Sequence, residues 1–138
     1  MITKLTQATI WVHDQDEALA FYTSTLGMEV REDVTIAEMG NFRWLTVGFP
    51  AQPDVQFILT VPGPPVLTPE VAAQLQDFLA QGAIGNFHFS TDDCQATFEE
   101  LRGKGVEFSM EPTEMPYGTD AQFRDPSGNL LRMTQLRG

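Results

Sequence analysis

Gln7-Ala-Thr-Ile-Trp-Val-His-Asp-Gln-Asp-Glu-Ala-Leu-Ala-Phe-Tyr-Thr-Ser-Thr-Leu-Gly27 is the stretch whose reading decides the fold. Its first six residues alternate apolar and polar, the period of a strand with one buried face. Asp14 then has the chemistry of a helix N-cap, and Glu17, three residues on, completes a capping box. Ala18, Leu19, Tyr22 and Leu26 recur at helical spacing, and Gly27 ends the helix ahead of the strand signal Met28-Glu29-Val30. The same order returns further along. Asn86-Phe-His-Phe-Ser-Thr91 alternates, Asp93 caps, Ala96, Phe98 and Leu101 form the apolar stripe, and Gly103 and Gly105 precede Val106-Glu107-Phe108. Gln7 and Asp14 map onto Asn86 and Asp93 at one constant offset, so the chain carries two copies of one unit.

Further strand signals follow each copy, Phe42 to Phe49 and Val55 to Val61 in the first, Ala121 to Arg124 and Leu130 to Leu136 in the second. The unit therefore reads βαβββ, twice. Asp125-Pro-Ser-Gly-Asn129 is dense turn chemistry and predicts a hairpin between the last two strands. Between the copies, Thr68 and Pro69 suit N-cap and N1, and Val71, Leu75, Phe78 and Leu79 predict a docked helix ending at Gly82. The expected organisation is one domain over 1–138, with module one about 1–63, a helical linker about 64–84 and module two about 85–138.

Composition narrows the function. A chain of 138 residues with 42% hydrophobic and 20% charged residues is globular and long enough for one real core. A formal net charge of -11 repels phosphate backbones and anionic lipid, so neither nucleic acid nor a membrane is an expected partner. No signal peptide or membrane span is read at the N-terminus. The single cysteine, Cys94, cannot form an intramolecular disulfide, which suits a cytoplasmic setting. There is no P-loop, Gly-x-Gly-x-x-Gly or Ser/His/Asp pattern to support nucleotide, dinucleotide or hydrolase readings.

Asp14 to Gly27, with its Phe-Tyr pair followed by Leu-Gly, resembles the first helix of vicinal oxygen chelate proteins, the glyoxalase, bleomycin-resistance and dioxygenase superfamily. Phe123-Arg-Asp-Pro-Ser-Gly-Asn-Leu130 resembles the turn before that family's last strand. The resemblance implies an α+β fold in which two βαβββ modules form a curled mixed sheet around an open cup, with helices outside. It also implies a homodimer, a small-molecule ligand in the cup and, in enzymatic members, a divalent metal there. Carried over residue by residue, the metal-ligand positions are Gln7, Gln56, Asn86 and Arg132. None is a carboxylate or an imidazole, and a guanidinium has no lone pair to give a cation.

Strand alternation assigns faces without the family. Gln7, Thr9 and Trp11 oppose Ala8, Ile10 and Val12. Gln56, Ile58 and Thr60 oppose Phe57 and Leu59, and Asn86, His88 and Ser90 oppose Phe87 and Phe89. Leu130, Arg132 and Thr134 oppose Leu131 and Met133, and the four more polar faces are expected to converge. The candidate ligand-binding set is Gln7, Trp11, Gln56, Asn86, His88, Tyr117 and Arg132. Arg132 would replace a metal electrostatically, and His88 is the candidate general base. Trp44, Phe49 and Phe123 are weaker candidates for the cup wall, and Arg43 for a second anion anchor. Cys94, at a helix start, is subject to a helix dipole that lowers a thiol pKa and to neighbouring aspartates that raise it. The leading expectation is a metal-independent small-molecule binding protein with no cofactor. The alternative is a lyase, isomerase or dioxygenase-like enzyme on the same fold, with an atypical metal site that includes His88 and Gln7.

Overall fold

The computed structural model describes residues 1–137. In chain order the first module runs β1 (Gln7–Trp11), α1 (Gln15–Ala20), β2 (Glu29–Ile36), β3 (Phe42–Gly48) and β4 (Gln56–Thr60). After α2 (Pro69–Ala80) the second runs β5 (Asn86–Ser90), α3 (Cys94–Gly103), β6 (Phe108–Met115), β7 (Gly118–Arg124) and β8 (Leu130–Leu136). Each module is a four-stranded mixed sheet, ordered β1-β4-β3-β2 and β5-β8-β7-β6. In both, the first and last strands pair in parallel and the remaining pairs are antiparallel. Sheets with helices outside and no closure give the α+β duplicated architecture that the sequence predicts, as two four-stranded sheets.

The predicted caps form. Asp14 accepts from the Glu17 N–H, Thr68 from Val71 and Asp93 from Ala96, each satisfying an amide that a helix start leaves free. The first helix departs from a uniform α-helix, since Phe21–Thr25 is π-helical and the Leu26 N–H reaches the Phe21 carbonyl. The Thr23 hydroxyl donates to the Leu19 carbonyl, taking an acceptor that the regular pattern would give to a backbone amide. The stripe on α2 is also rotated from the predicted one: Ala72 and Leu79 are buried, whereas Val71 and Phe78 are exposed. Met115 to Thr119 is the tight end of the β6–β7 hairpin.

One apolar cluster spans both modules. Ile10, Val12, Leu45, Val47 and Leu59 come from the first sheet, Ala121, Phe123, Leu131 and Met133 from the second, with Tyr22 and Phe98 from the helices. Of these, Ile10, Leu59, Leu131 and Met133 are apolar halves of the alternations read on β1, β4 and β8. Phe57 meets Phe87 and Phe89 edge-on at 5.9 and 6.1 Å, and Phe49 meets Phe89 at 5.3 Å, closing the seam between modules. Phe123 is buried in the core and Phe49 packs at the seam, and both line a cavity of about 180 Å³ together with Phe89 and Met133.

A polar bond across the seam joins helix and hairpin. The Tyr22 hydroxyl, buried, donates to Asp125 Oδ2 at 2.6 Å. Asp125 also accepts from the Ser127 and Asn129 amides and from Asn129 Nδ2, which in turn bonds the Trp11 carbonyl. The two stretches that carry the family resemblance are thus partners in space.

Candidate functional site

The second sheet turns its polar face onto a cavity of about 340 Å³ lined by His88, Phe89, Ser90, Tyr117, Arg132, Thr134 and Leu136. Register explains the grouping: His88 lies beside Arg132 and Ser90 beside Thr134 on the parallel β5–β8 pair. On the other side of β8, Thr134 lies beside Asp120 and Arg132 beside Gln122. Since all these positions share parity, the strand backbones alone bring their side chains to one face.

Asp120 lies under this surface at 0% exposure. Its carboxylate accepts from the Thr134 hydroxyl at 2.6 Å and from the Tyr117 phenol through a short hydrogen bond. Burial works to raise its pKa. The hydrogen bonds from Thr134 and Tyr117 and the nearby charges of Arg132 and His88 outweigh that and hold it below the ordinary carboxylate value. The same bond, with burial and the Asp120 charge, pushes the Tyr117 phenol up. Asp120 is therefore ionised at neutral pH and Tyr117 is not.

Tyr117 owes its place to a tight turn. At Gly118, which pairs with Leu136, a Cβ would sit on the Gln135 carbonyl oxygen, so only glycine lets β7 come this close to β8 there.

Arg132 is distinguished by what it lacks. Of the eight basic side chains, the other seven hold a carboxylate or a backbone carbonyl. Among the described residues Arg132 has no ion pair and no hydrogen-bond partner, although it is half-buried at the cavity wall. Arg43, the expected second anion anchor, is fully committed: it forks onto Asp33 at 2.9 and 3.0 Å and reaches Asp16 at 2.7 Å. Those bonds hold Asp33 below the ordinary carboxylate range and raise the arginine, whose donors are thus occupied within the protein.

Profile matching finds the Glyoxalase/Bleomycin resistance protein/Dioxygenase superfamily over residues 4–133. The chain belongs to this superfamily. Among solved structures, UcmS2 is 45% identical with a TM-score of 0.89, over 98% of this chain and 99% of that one. TnmS3, an antibiotic binding protein from Streptomyces sp. CB03234, is 26% identical with a TM-score of 0.77, over 99% and 98%. YurT of Bacillus subtilis is 36% identical over 132 residues, 96% of this chain and 98% of YurT.

The positions at which the resemblance implies metal ligands hold Gln7, Gln56, Asn86 and Arg132, none of them anionic. Gln7 pairs with Gln56 on β1 and β4, whereas Asn86 and Arg132 stand on β5 and β8, where Asn86 faces Leu130. Two amides in one sheet and an amide and a guanidinium in the other bring no anionic ligand. Among the described residues no three His, Cys, Asp or Glu side chains gather.

Of the seven candidates from sequence, His88, Tyr117 and Arg132 line the cavity together. Gln7, Trp11, Gln56 and Asn86 do not line it: Gln7 and Asn86 are exposed, and Trp11 and Gln56 are half-buried on the other sheet. Convergence thus holds within the second sheet, where strand pairing enforces it. Burial first, then the Asp120 and Asp93 charges, raises the Cys94 thiol above its ordinary value.

Sequence reading missed Asp120 altogether. A signal was available, since aspartate is disfavoured inside strands and Asp120 has the parity opposite to Ala121 and Phe123. Its partners are fourteen and three residues away, and nothing local announces them.

Proposed function

We propose that this protein is a metal-independent binder of small organic molecules, holding an anionic or strongly electron-rich oxygen of its ligand on Arg132. The single observation behind this reading is that, among the described residues, Arg132 is the basic side chain left without a partner, in a protein whose acids outnumber its bases 19 to 8. A half-buried guanidinium gains most from a bidentate oxygen ligand, because its five donors form a fixed fork. Phe89, Leu136 and the Tyr117 ring supply apolar wall, the usual complement to a few placed polar groups. The antibiotic binding described for TnmS3, on the same fold, supports a small-molecule ligand.

The reading includes a homodimer and a cytoplasmic setting. Exposed Val30 and Val34 on β2 and exposed Val71 and Phe78 on α2 are surfaces compatible with self-association, and one buried thiol suits a reducing compartment. Sedimentation velocity reads the first directly.

The test of the main claim begins with chelator-treated protein melted against Ni, Zn, Mn, Co and Fe(II), with no saturable shift expected. Benzoate, as the simplest apolar-bodied acid, is then titrated against wild type and Arg132→Ala. Weakening by about tenfold or more is expected, the scale of one lost charged hydrogen bond. A metal shift that disappears in His88→Ala would sink the metal-free reading, and benzoate affinity indifferent to Arg132→Ala would sink the anchor.

A further inference from the structure

The cavity fixes not only where a ligand sits but which hydrogen-bonding polarity it must present. Asp120 is wholly buried and ionised, so it can only accept. Both hydroxyls in its reach, Thr134 and Tyr117, spend their single proton on it. What each has left to offer the cavity is a lone pair. Arg132, two residues along the same face of β8, offers only donors. Around Asp120 the Thr134 and Tyr117 hydroxyls therefore present acceptors, and Arg132, one strand repeat of about 6.6 Å further along the β8 backbone, presents donors.

We propose that Asp120 is a specificity-determining residue that makes this cavity selective for acids carrying a hydrogen-bond donor, a hydroxyl or amine, across an apolar body from the acid group. The inference rests on the reading that Arg132 holds the ligand's acid. Asp120 acts through the two hydroxyls it orients and does not touch the ligand itself. A ligand whose far group only accepts, such as an ether, meets two lone pairs with a lone pair. Such a group also leaves the Tyr117 and Thr134 oxygens desolvated without partners.

The test compares 4-hydroxybenzoate with 4-methoxybenzoate by calorimetric and NMR titration of the full chain. The expected result is about tenfold tighter binding of the hydroxy acid to wild type, with both acids weakened alike by Arg132→Ala. Asp120→Asn keeps the shape but supplies an amide that can donate, so the Tyr117 and Thr134 hydroxyls are free to turn. The preference should fall to about one or reverse toward the methoxy acid. Should Asp120→Asn unfold the chain, Thr134→Val combined with Tyr117→Phe carries the test, since it removes both acceptors and should erase the preference.

Equal binding of the two acids to wild type, still dependent on Arg132, would overturn the inference and leave the binding reading intact. Preference unchanged in the Asp120 or double variant would overturn the role of Asp120. Binding of neither acid, or binding indifferent to Arg132→Ala, would overturn both.

Discussion

Replacing Tyr22 with Phe removes one oxygen from a buried bond that spans 103 residues of sequence and ties the first helix to the last hairpin. Two contributions set the size of the effect. A hydrogen bond to a charged group contributes about 1.5–3 kcal/mol. Asp125 is not orphaned by the change, because three further donors from Ser127 and Asn129 remain, so the full penalty of a buried bare carboxylate does not apply. We expect about 2 kcal/mol, the middle of that range, which for a domain of this size lowers Tm by roughly 6–10 °C. Urea unfolding at neutral pH measures it.

Alkaline pH supplies an independent check of the same bond. Burial first, then the Asp125 charge and hydrogen bond, raise the Tyr22 phenol far above its ordinary value of 10.0. A group raised on folding contributes stability that is complete below its unfolded pKa and is lost as pH climbs beyond it. Wild type should therefore lose stability faster than Tyr22→Phe above about pH 10. A variant within about 0.5 kcal/mol of wild type at neutral pH, with a parallel alkaline limb, would refute the claim that this bond joins the modules.

Gly118→Ala should destabilise by about 1–3 kcal/mol, because the new methyl meets backbone that cannot move aside, and should weaken 4-hydroxybenzoate through displacement of Tyr117. Unchanged melting and affinity would contradict the close approach of β7 to β8. Asp120, whose pKa is depressed in the folded state, contributes stability above its unfolded value of 3.8 that is lost as pH falls through the lower folded one. The stability gap between wild type and Asp120→Asn should accordingly shrink between about pH 5 and about pH 3, and a gap independent of pH would argue against an ionised Asp120. Arg43→Met should leave benzoate affinity within about twofold of wild type while costing about 1 kcal/mol or less, since its ion pairs are at the surface. A larger loss of affinity would place Arg43 in the site after all.

The sequence by itself determined the two-fold repeat of the βαβββ unit, the caps and the faces of β1, β4, β5 and β8. Each rests on interactions within a few residues: alternation in β1, β5 and β8, Asp14 and Asp93 bonding amides three positions on, and glycine turns. Which side chains stand where the resemblance implies metal ligands, Gln7, Gln56, Asn86 and Arg132, is likewise a matter of side-chain identity. What only the tertiary structure decided is which polar groups are already spoken for. Arg43 and Arg132 look alike as two strand arginines, yet Asp16 and Asp33 occupy one while the other has no partner among the described residues. The partner of Asp120 across the sheet is undefined until β7 lies against β8 and brings Thr134 beside it. Hydrogen bonds and ion pairs form at contact distance between residues far apart in the chain, so whether a charge is free to meet a ligand is settled by packing and not by local pattern.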